Sequence, residues 1–450
     1  MRRSNMTTPA FRPSFWFMAI IAIAAISTVV WLVVNAGLSV PAYLLVSAIV
    51  LLDGFDIAAR LWLRHQTNRR QQLSPAPTGK PRPYAILVSV YNMEHQLDAF
   101  LDSLHAYRSN VWIVDDASTD CTVSRLRASG WRYLALEKNV KKPGALKQLL
   151  RQIPAEVGTI VIIDPDVSLP DNLGERIHVF QQSGAAAMCP KVVVRPDGNL
   201  AELQSIEYVL SFDLGRSSLS PQTVTSGAAV YDRAVLDDIM KHHTLSVYGE
   251  DLENALSILG AGKDIVYDPQ LVLETDGKRT LHGWFSQRVG WSFSLLKIFA
   301  EQGSNIAKAM ERSAVGFYQF GIYFGILGML LWPLKLSSIV LLSYSAINGI
   351  DELLALNLIA DNALNHPAFF AACYFKYTVV ALVAYVLVSP ANTMARGLLF
   401  IPMFFLYSVV LVLPTFIGYL NWITLRLFGF RVYSDHYDAK PVLGRSPGTG

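Results

Sequence analysis

Residues 14–34 form an apolar run with no charged side chain, and this run constrains the fold more than any other feature of the sequence. A run of this length crosses a bilayer as a helix, and it is too long for the apolar core of a typical signal peptide. A second apolar run begins near Leu38 and ends near Ala58, with Asp53 and Asp56 close to its end. We place both acids at the membrane interface, because a charged flank follows within about two helical turns.

Arginines flank this pair of apolar runs on both outer sides, and the loop between the runs, residues 35–41, carries no charge. Short flanks rich in arginine stay on the cytoplasmic side of a membrane. We therefore predict that residues 1–70 form a transmembrane hairpin whose two ends lie in the cytoplasm. The prolines that follow predict a linker over residues 71–83.

The composition indicates membrane spans beside a polar domain, because 52% of the residues are hydrophobic, only 16% are charged, and the mean hydropathy is +0.33. Aromatic, aliphatic and polar residues alternate over 281–312, which is typical of amphipathic helices in the membrane interface. We predict C-terminal transmembrane helices within 313–425 and a cytoplasmic tail at 426–450. The individual spans are expected near 313–333, 335–349, 367–389 and 397–421, the second of them short enough to be a re-entrant segment instead.

Between the two apolar regions, residues 84–280 have the composition of a polar domain with alternating strand and helix patterns. Leu97, Phe100 and Leu101 share one helical face between the first two strand patterns. This alternation predicts an α/β fold with a parallel sheet. In such sheets ligands bind beyond the carboxyl ends of the strands. The predicted strands are 85–92, which ends in a polar loop, and 111–114, 133–136 and 159–163.

The triplet Asp164-Pro165-Asp166 follows the buried strand pattern at 159–163. In an extended backbone residues i and i+2 point to the same side, so we expect the two carboxylates to face one point. Paired carboxylate oxygens suit Mg2+ or Mn2+ that also holds substrate phosphates. A D-x-D triplet also arises by chance about once in a chain of this size, so the triplet alone leaves a metal site open.

Four further features each admit a chemical and a structural interpretation. The pair Asp115–Asp116 at a strand end is suited to accept hydrogen bonds from a nucleotide, or to make an Asx-turn or helix cap. Lys142, placed before a predicted helix, meets a phosphate or is simply solvated. Glu250–Asp251 opens an amphipathic helix, where acids are stabilised by capping and by the dipole alone. The fourth feature is Trp291, whose structural interpretation is an aromatic residue of the membrane interface.

Taken together, these motifs resemble those of the family 2 inverting glycosyltransferases, specifically the membrane-embedded polysaccharide synthases that make cellulose, chitin, hyaluronan and poly-N-acetylglucosamine. The family pattern is a spaced series of Asp, D-x-D, an E-D pair and Q-x-x-R-W. The matching stretches are Tyr91-Asn92, Asp115-Asp116, Asp164-Pro165-Asp166, Ser226-Gly227-Ala228, Glu250-Asp251 and Gln287-Arg288-Val289-Gly290-Trp291. The resemblance covers about residues 84–300, and the flanking apolar runs match the layout of these synthases.

The resemblance implies a cytoplasmic GT-A (Rossmann-like) glycosyltransferase domain over 84–280, inserted between the transmembrane helices. It implies a nucleotide-sugar donor, with a UDP-sugar as the family inference, and Mg2+ or Mn2+ held by Asp164 and Asp166. Asp251 is the implied general base, with Glu250 beside it. The remaining implied roles are donor binding by Asp115, Asp116, Tyr91, Lys142, Asp164 and Arg288, and acceptor binding by Trp291, Gln287, Ser226 and Gly227.

The sequence departs from the family pattern at Gly290, where the motif has an arginine that contacts the diphosphate. The base and the metal motif are untouched, so the departure bears on processivity and on full activity. The first expectation is a multi-pass synthase of the bacterial inner membrane that extends a polysaccharide and passes it outward. The alternatives are a non-processive transferase acting on a lipid carrier or other membrane acceptor, and an inactive scaffold or export subunit.

Two classes of site are not expected from the sequence. No basic tract interleaved with aromatic residues points to nucleic acid as a partner. The three cysteines are scattered, which predicts neither a disulfide framework nor a zinc site.

Overall fold

The structure, a computed structural model, describes residues 54–67, 79–245, 249–330, 378–379, 381–389 and 391–433. The predicted spans at 14–34 and 335–349 lie outside these residues, as do most of the second apolar run, the linker and the C-terminal tail.

Eight strands of the described chain form one sheet in the order β3-β2-β1-β4-β7-β6-β8-β5. The strands are β1 Tyr84–Val90, β2 Val111–Asp115, β3 Tyr133–Ala135, β4 Thr159–Ile163, β5 Val167–Ser168, β6 Ala187–Arg195, β7 Ala229–Asp232 and β8 Ile265–Asp276. The four predicted strands are thus confirmed, with limits that differ by one or two residues at most.

Strand direction divides the sheet into two halves. β3, β2, β1 and β4 are parallel, as the alternation of strands and helices predicts. β7 then runs antiparallel to both β4 and β6, and β5 runs antiparallel to β8. The parallel sheet is therefore confirmed for the four predicted strands, while the sheet as a whole is mixed, because apolar periodicity reports burial of a strand and not its direction.

Helices cover both faces of the sheet and continue beyond it. They are α1 54–67, α2 Leu97–Ser103, α3 Thr122–Ser129, α4 Lys141–Leu150, α5 Leu173–Ser183, α6 Asn199–Val209, α7 Arg233–His242, α8 Glu250–Gly260, α9 Leu281–Glu301, α10 Gly303–Arg312, α11 Ala314–Gly316, α12 381–388, α13 Ala391–Leu398 and α14 Ile401–Phe428. Two of them continue as π-helix: α6 into Leu210–Arg216 and α11 into Phe317–Leu330.

The core lies on the two faces of the sheet, and alternate residues of each strand enter it from opposite sides. On one face Ile86 and Val88 of β1 join the apolar side of α2, which includes Leu97 and Phe100 as predicted. On the other face Leu87 joins residues of α4, α7, α8 and α10. Because both faces are covered, the carboxyl edge of the parallel strands is where the polar loops collect.

The C-terminal helix α14 packs along α9. A Cβ atom added to Gly418 of α14 would lie 2.6 Å from the carbonyl oxygen of Val289 and 2.9 Å from the backbone nitrogen of Phe293, so only glycine permits this approach. Within the described residues α14 is the one helix long and apolar enough to cross a bilayer, and Ala314–Leu330 is apolar but shorter.

The predicted span at 397–421 is wrong in its limits. The helical structure is interrupted between Leu398, where α13 ends, and Ile401, where α14 begins. Pro402 stands in the first turn of α14, where its missing N–H has no intrahelical partner to lose. The new helix then continues to Phe428, past the predicted end.

Candidate active site

The D-x-D triplet lies in a turn at the end of β4. The strand ends at Ile163, and the backbone N–H of Val167 donates to the carbonyl of Asp164 over 3.1 Å. The expected extended geometry is therefore wrong, but the two carboxylates still lie near each other. Burial raises the pKa of Asp166, and the charge of Asp164 raises it further.

Lys142 joins this turn to the start of α8. Its Nζ atom lies 2.6 Å from Oδ1 of Asp164 and 3.0 Å from Oε1 of Glu250. Burial lowers the pKa of the Lys142 ammonium, but the charges of Asp164 and Glu250 outweigh burial and raise it well above its usual value. The lysine lies inside the first turn of α4, so its predicted position before that helix is wrong.

The start of α8 holds the predicted base. Gly249 precedes it with φ = 74°, and a Cβ atom there would lie 2.9 Å from Ile298 of α9, so the position requires glycine twice over. Burial raises the pKa of Asp251 to about 6, and the adjacent charge of Glu250 contributes to this shift. A carboxylate with this pKa is ionised at neutral pH and retains more basicity than an exposed one, as a general base needs.

Ser226 and Gly227 close the same pocket from the loop before β7. A Cβ atom on Gly227 would lie 2.2 Å from Oδ2 of Asp164, so the backbone rests directly on that carboxylate. Ser226 donates its hydroxyl to the carbonyl of Ala228 over 2.8 Å and thereby shapes the turn. The structure thus brings Lys142, Ser226, Gly227, Glu250 and Asp251 around one pocket.

Asp115 and Asp116 behave differently from each other at the end of β2. Oδ1 of Asp116 accepts from the backbone N–H of Val140 over 2.7 Å, a contact to the residue before α4 that is not an Asx-turn within its own loop. Oδ2 of Asp115 accepts from the backbone N–H of Ser118 over 2.9 Å, whereas its buried Oδ1 has no hydrogen-bond partner within the described chain. That oxygen is available to an N–H group of a ligand, because a buried acceptor without a partner costs free energy.

Tyr91 lies beside this position and is exposed. The next residue, Asn92, has φ = 51°, and its Oδ1 accepts from the backbone N–H of Thr119 over 2.8 Å. The loops that follow β1 and β2 are therefore tied together, and the predicted donor-binding role of Tyr91 stays a prediction.

The hydrogen-bond partners of Arg288 lie outside the pocket. It is 3% exposed, and its Nη2 atom lies 2.7 Å from Oε2 of Glu207. Nη1 donates to Oε1 of Gln287 over 2.6 Å. The two motif residues are thus engaged with each other and with α6, and this geometry does not present the Arg288 cation to a diphosphate. Their predicted roles with donor and acceptor stay predictions.

Trp291 remains 40% exposed and lies near the middle of α9. Gly290, one residue before it, is buried and its carbonyl accepts from the hydroxyl of Ser294 over 2.7 Å. Ser294 and Ile298 follow Gly290 at intervals of four residues and both contact Gly249. A side chain at position 290 would therefore project from the face of α9 that meets the start of α8.

Arg216 and Cys189 also belong to this region, and no sequence motif singled them out. The charge of Arg216, at the end of the π-helix, lowers the pKa of Asp251, and its Nε atom is buried without a hydrogen-bond partner among the described residues. Burial raises the pKa of the neighbouring Cys189 thiol to about 11, in keeping with a reduced structural cysteine. Both residues are distant from Asp251 in sequence, so periodicity and spacing give no sign of them.

Asp164 and Asp166 are suited in chemistry to a divalent cation. Carboxylate oxygens are the ligands that Mg2+ and Mn2+ prefer, and a cation would relieve the mutual repulsion that raises the pKa of Asp166. Within the described residues no group of three or more His, Cys, Asp or Glu side chains is placed to hold a metal.

Part of the chain has a counterpart in a known family. Residues 85–240 match the glycosyl transferase family 2 model. This match confirms a glycosyltransferase family 2 domain in that part of the chain, which contains β1 to β7 and the D-x-D turn. Glu250–Asp251 and the Gln287–Trp291 motif lie beyond the matched residues. No curated protein has a significantly similar sequence.

Solved structures with a similar arrangement include two glycosyltransferases. A mannosyltransferase from Pyrobaculum calidifontis, in complex with GDP-Man and Mn2+, has 18% identity and a TM-score of 0.46, with 76% of this chain and 98% of that chain covered. Glucosyl-3-phosphoglycerate synthase from Mycobacterium tuberculosis, in complex with UDP, has 17% identity and a TM-score of 0.31, with 49% and 80% covered. At these identities and scores the likenesses say nothing about the substrate of this chain.

Proposed function

We propose that the protein is a membrane polysaccharide synthase that transfers a sugar from a nucleotide sugar, a UDP-sugar by family inference, to a growing glycan with inversion. The observation that carries the proposal is the convergence of Asp164, Lys142, Gly227 and the Glu250–Asp251 pair on one pocket at the carboxyl edge of the parallel strands. Ligands bind at this edge in sheets of this kind.

In the proposed mechanism Asp251 removes the proton from an acceptor hydroxyl. The oxygen of the acceptor then attacks the anomeric carbon of the donor sugar on the side opposite the diphosphate. The bond from that carbon to the diphosphate breaks, the nucleoside diphosphate leaves, and the configuration inverts. Lys142 places a positive charge where the diphosphate leaves, and Asp164 and Glu250 keep that lysine protonated. A divalent cation held by Asp164 and Asp166 would supply further stabilisation of the leaving diphosphate.

The membrane part of the proposal rests on the apolar runs and on α14. Four side chains of α14, Met403, Leu406, Val410 and Leu413, are apolar and exposed, and they recur at helical spacing along one side. An exposed apolar stripe on a helix of 28 residues suits the hydrocarbon core of a bilayer. We propose a multi-pass protein of the bacterial inner membrane, with the catalytic domain in the cytoplasm and the glycan leaving through the transmembrane region.

A second candidate is a non-processive transferase that adds one sugar to a lipid carrier or other membrane acceptor. Gly290 favours it, because the position beside α8 where the family pattern has arginine offers no cation to the diphosphate. A third candidate, an inactive scaffold or export subunit, is disfavoured by the presence of Asp164, Asp166 and Asp251 together and by the raised pKa of Asp251, since perturbed pKa values cluster at functional sites.

The test uses the full-length protein purified in detergent, incubated with Mg2+ or Mn2+ and a panel of nucleotide sugars. We expect release of nucleoside diphosphate from one donor and a long product by gel filtration. Asp251→Asn should abolish transfer while donor binding remains, and a chelator should stop the wild-type reaction. A product extended by a single sugar would favour the second candidate. Folded protein without turnover of any donor would contradict the proposal.

A further inference from the structure

An ion pair between a buried arginine and a partly buried glutamate lies outside the catalytic pocket, beside Trp291. Arg288 of α9 and Glu207 of α6 are joined over 2.7 Å, and the arginine is almost fully buried. Breaking a buried pair by removal of one partner is costly, because the other charge is left without compensation. The pair therefore fixes the position of the Arg288 guanidinium.

The same guanidinium lies over the ring of Trp291, with Cζ of Arg288 4.1 Å from the ring centroid. A cation at this distance is attracted to the face of the ring. One face of Trp291 is thus covered by Arg288, while the 40% exposure of the residue leaves ring surface for a ligand. The tryptophan is held as a fixed platform rather than a freely rotating side chain.

A third contact ties this platform to the C-terminal helix. The hydroxyl of Tyr407 on α14 donates to Oε2 of Glu207, and Nε1 of the buried Trp284 donates to the Tyr407 hydroxyl over 2.7 Å. Glu207 therefore accepts hydrogen bonds from two helices that follow the catalytic domain. It is the residue on which α6, α9 and α14 meet.

We propose that Glu207 is a positioning residue for acceptor binding: through Arg288 it sets the orientation of Trp291, and through Tyr407 it makes that orientation depend on α14. This inference rests on the proposed glycosyl transfer. It assigns Arg288 to the acceptor side rather than to the donor diphosphate. Loss of the Glu207 charge should therefore weaken the acceptor and leave the donor unaffected.

The test compares Glu207→Gln with Glu202→Gln in the full-length enzyme in detergent. Glu202 is a matched control, because it also lies on α6, is buried, and pairs with Arg396 of α13 rather than with Arg288. For Glu207→Gln we expect the KM for an added oligosaccharide acceptor to rise roughly tenfold while the donor KM stays unchanged, in line with removal of one partner of a buried charge pair. Glu202→Gln should change neither constant.

A second readout does not depend on activity. In protein labelled with 5-fluorotryptophan, the fluorine resonance that disappears in Trp291→Phe identifies Trp291. We expect Glu207→Gln to shift or broaden this resonance and Glu202→Gln to leave it in place.

An unchanged Trp291 resonance together with a wild-type acceptor KM in Glu207→Gln would overturn the inference. An equal rise of the donor KM and the acceptor KM would also overturn it, because Arg288 would then act in donor binding as well. Failure of the proposed function looks different, because the wild-type protein would then turn over no donor while the fluorine result still reports on Glu207.

Discussion

Asp251 shows how the surroundings of one residue determine its chemistry. The residue lies where burial and the charge of Glu250 favour its protonated form, while Lys142 and Arg216 favour its ionised form. The balance places its pKa at about 6, two units above the usual value for an aspartic acid. The neighbouring side chains therefore control the pH at which the proposed base works.

The pH dependence of the reaction tests this balance. We expect kcat/KM to rise with pH through an apparent pKa of about 6, since Asp251 must lose its proton before it can act. Glu250→Gln removes the charge that raises this pKa, so the acidic limb of the pH profile should move to lower pH. Asp238→Asn, an exposed change on α7, is the control and should leave the limb in place. An identical limb in Glu250→Gln would contradict the assignment of Asp251.

Gly227 permits a second test at the scale of a single residue. In Gly227→Ala the new Cβ would lie 2.2 Å from Oδ2 of Asp164, so the carboxylate or the loop must move. We expect the donor KM to rise or kcat to fall by about 100-fold, because displacement of a positioning group by about 1 Å has an effect of this size. Gly303→Ala is the control, since a Cβ there meets nothing within 4 Å. Equal kinetics in both variants would argue against Asp164 as a donor ligand.

At the scale of elements, α9 links the catalytic pocket to the C-terminal helix. Its residues Ser294 and Ile298 contact Gly249 at the start of α8, and its backbone from Val289 to Phe293 contacts Gly418 of α14. Glycine lets the backbone of α14 approach the backbone of α9 at Gly418, and lets side chains of α9 rest on the backbone at Gly249. A shift of α14 would therefore be transmitted to the start of α8 through one rigid helix.

Gly418→Val tests this contact between helices. The added side chain would overlap the backbone of α9. We therefore expect the free energy of unfolding in detergent to fall by about 1–3 kcal/mol, as for other overpacked interiors. Leu413→Val introduces the same residue at an exposed position of α14 and should change stability little. The comparison is made by thermal unfolding followed by tryptophan fluorescence. Equal melting temperatures for the two variants would contradict the close approach.

At the scale of the whole molecule, a doubly covered α/β domain is followed by helices of which α14 is, within the described residues, the one long and apolar enough to cross a bilayer. Residues 85–240 of this domain match the glycosyl transferase family 2 model. The topology with the domain in the cytoplasm is a proposal that depends on the arginine flanks and on the apolar runs.

Cysteine labelling tests that topology. Cys121 is exposed in the catalytic domain between β2 and α3, whereas Cys189 is buried. In a Cys373→Ser background we expect a membrane-impermeant maleimide to label the protein in inverted inner-membrane vesicles and not in right-side-out vesicles, because Cys121 faces the cytoplasm. Labelling in right-side-out vesicles would place the domain on the other side. Recovery of the chain in the soluble fraction after alkaline extraction would remove the membrane proposal.

The sequence by itself determined the elements whose signal is local. The apolar run of β4 ends at Asp164, and the spacing of Leu97, Phe100 and Leu101 marks the buried side of α2, because a strand or helix reveals its buried face through its own periodicity. The order of acidic motifs was likewise visible, since each motif occupies only a few consecutive residues.

Only the tertiary structure decided which of these elements meet. The antiparallel insertion of β7, the bridge from Lys142 to Glu250, and the pairing of Arg288 with Glu207 all join residues far apart in the chain. The turn at Asp164–Asp166 likewise depends on Val167 pairing with β8. Such contacts follow from the path of the backbone and from the cost of leaving a buried charge unpaired, and neither is encoded in the pattern of a single segment.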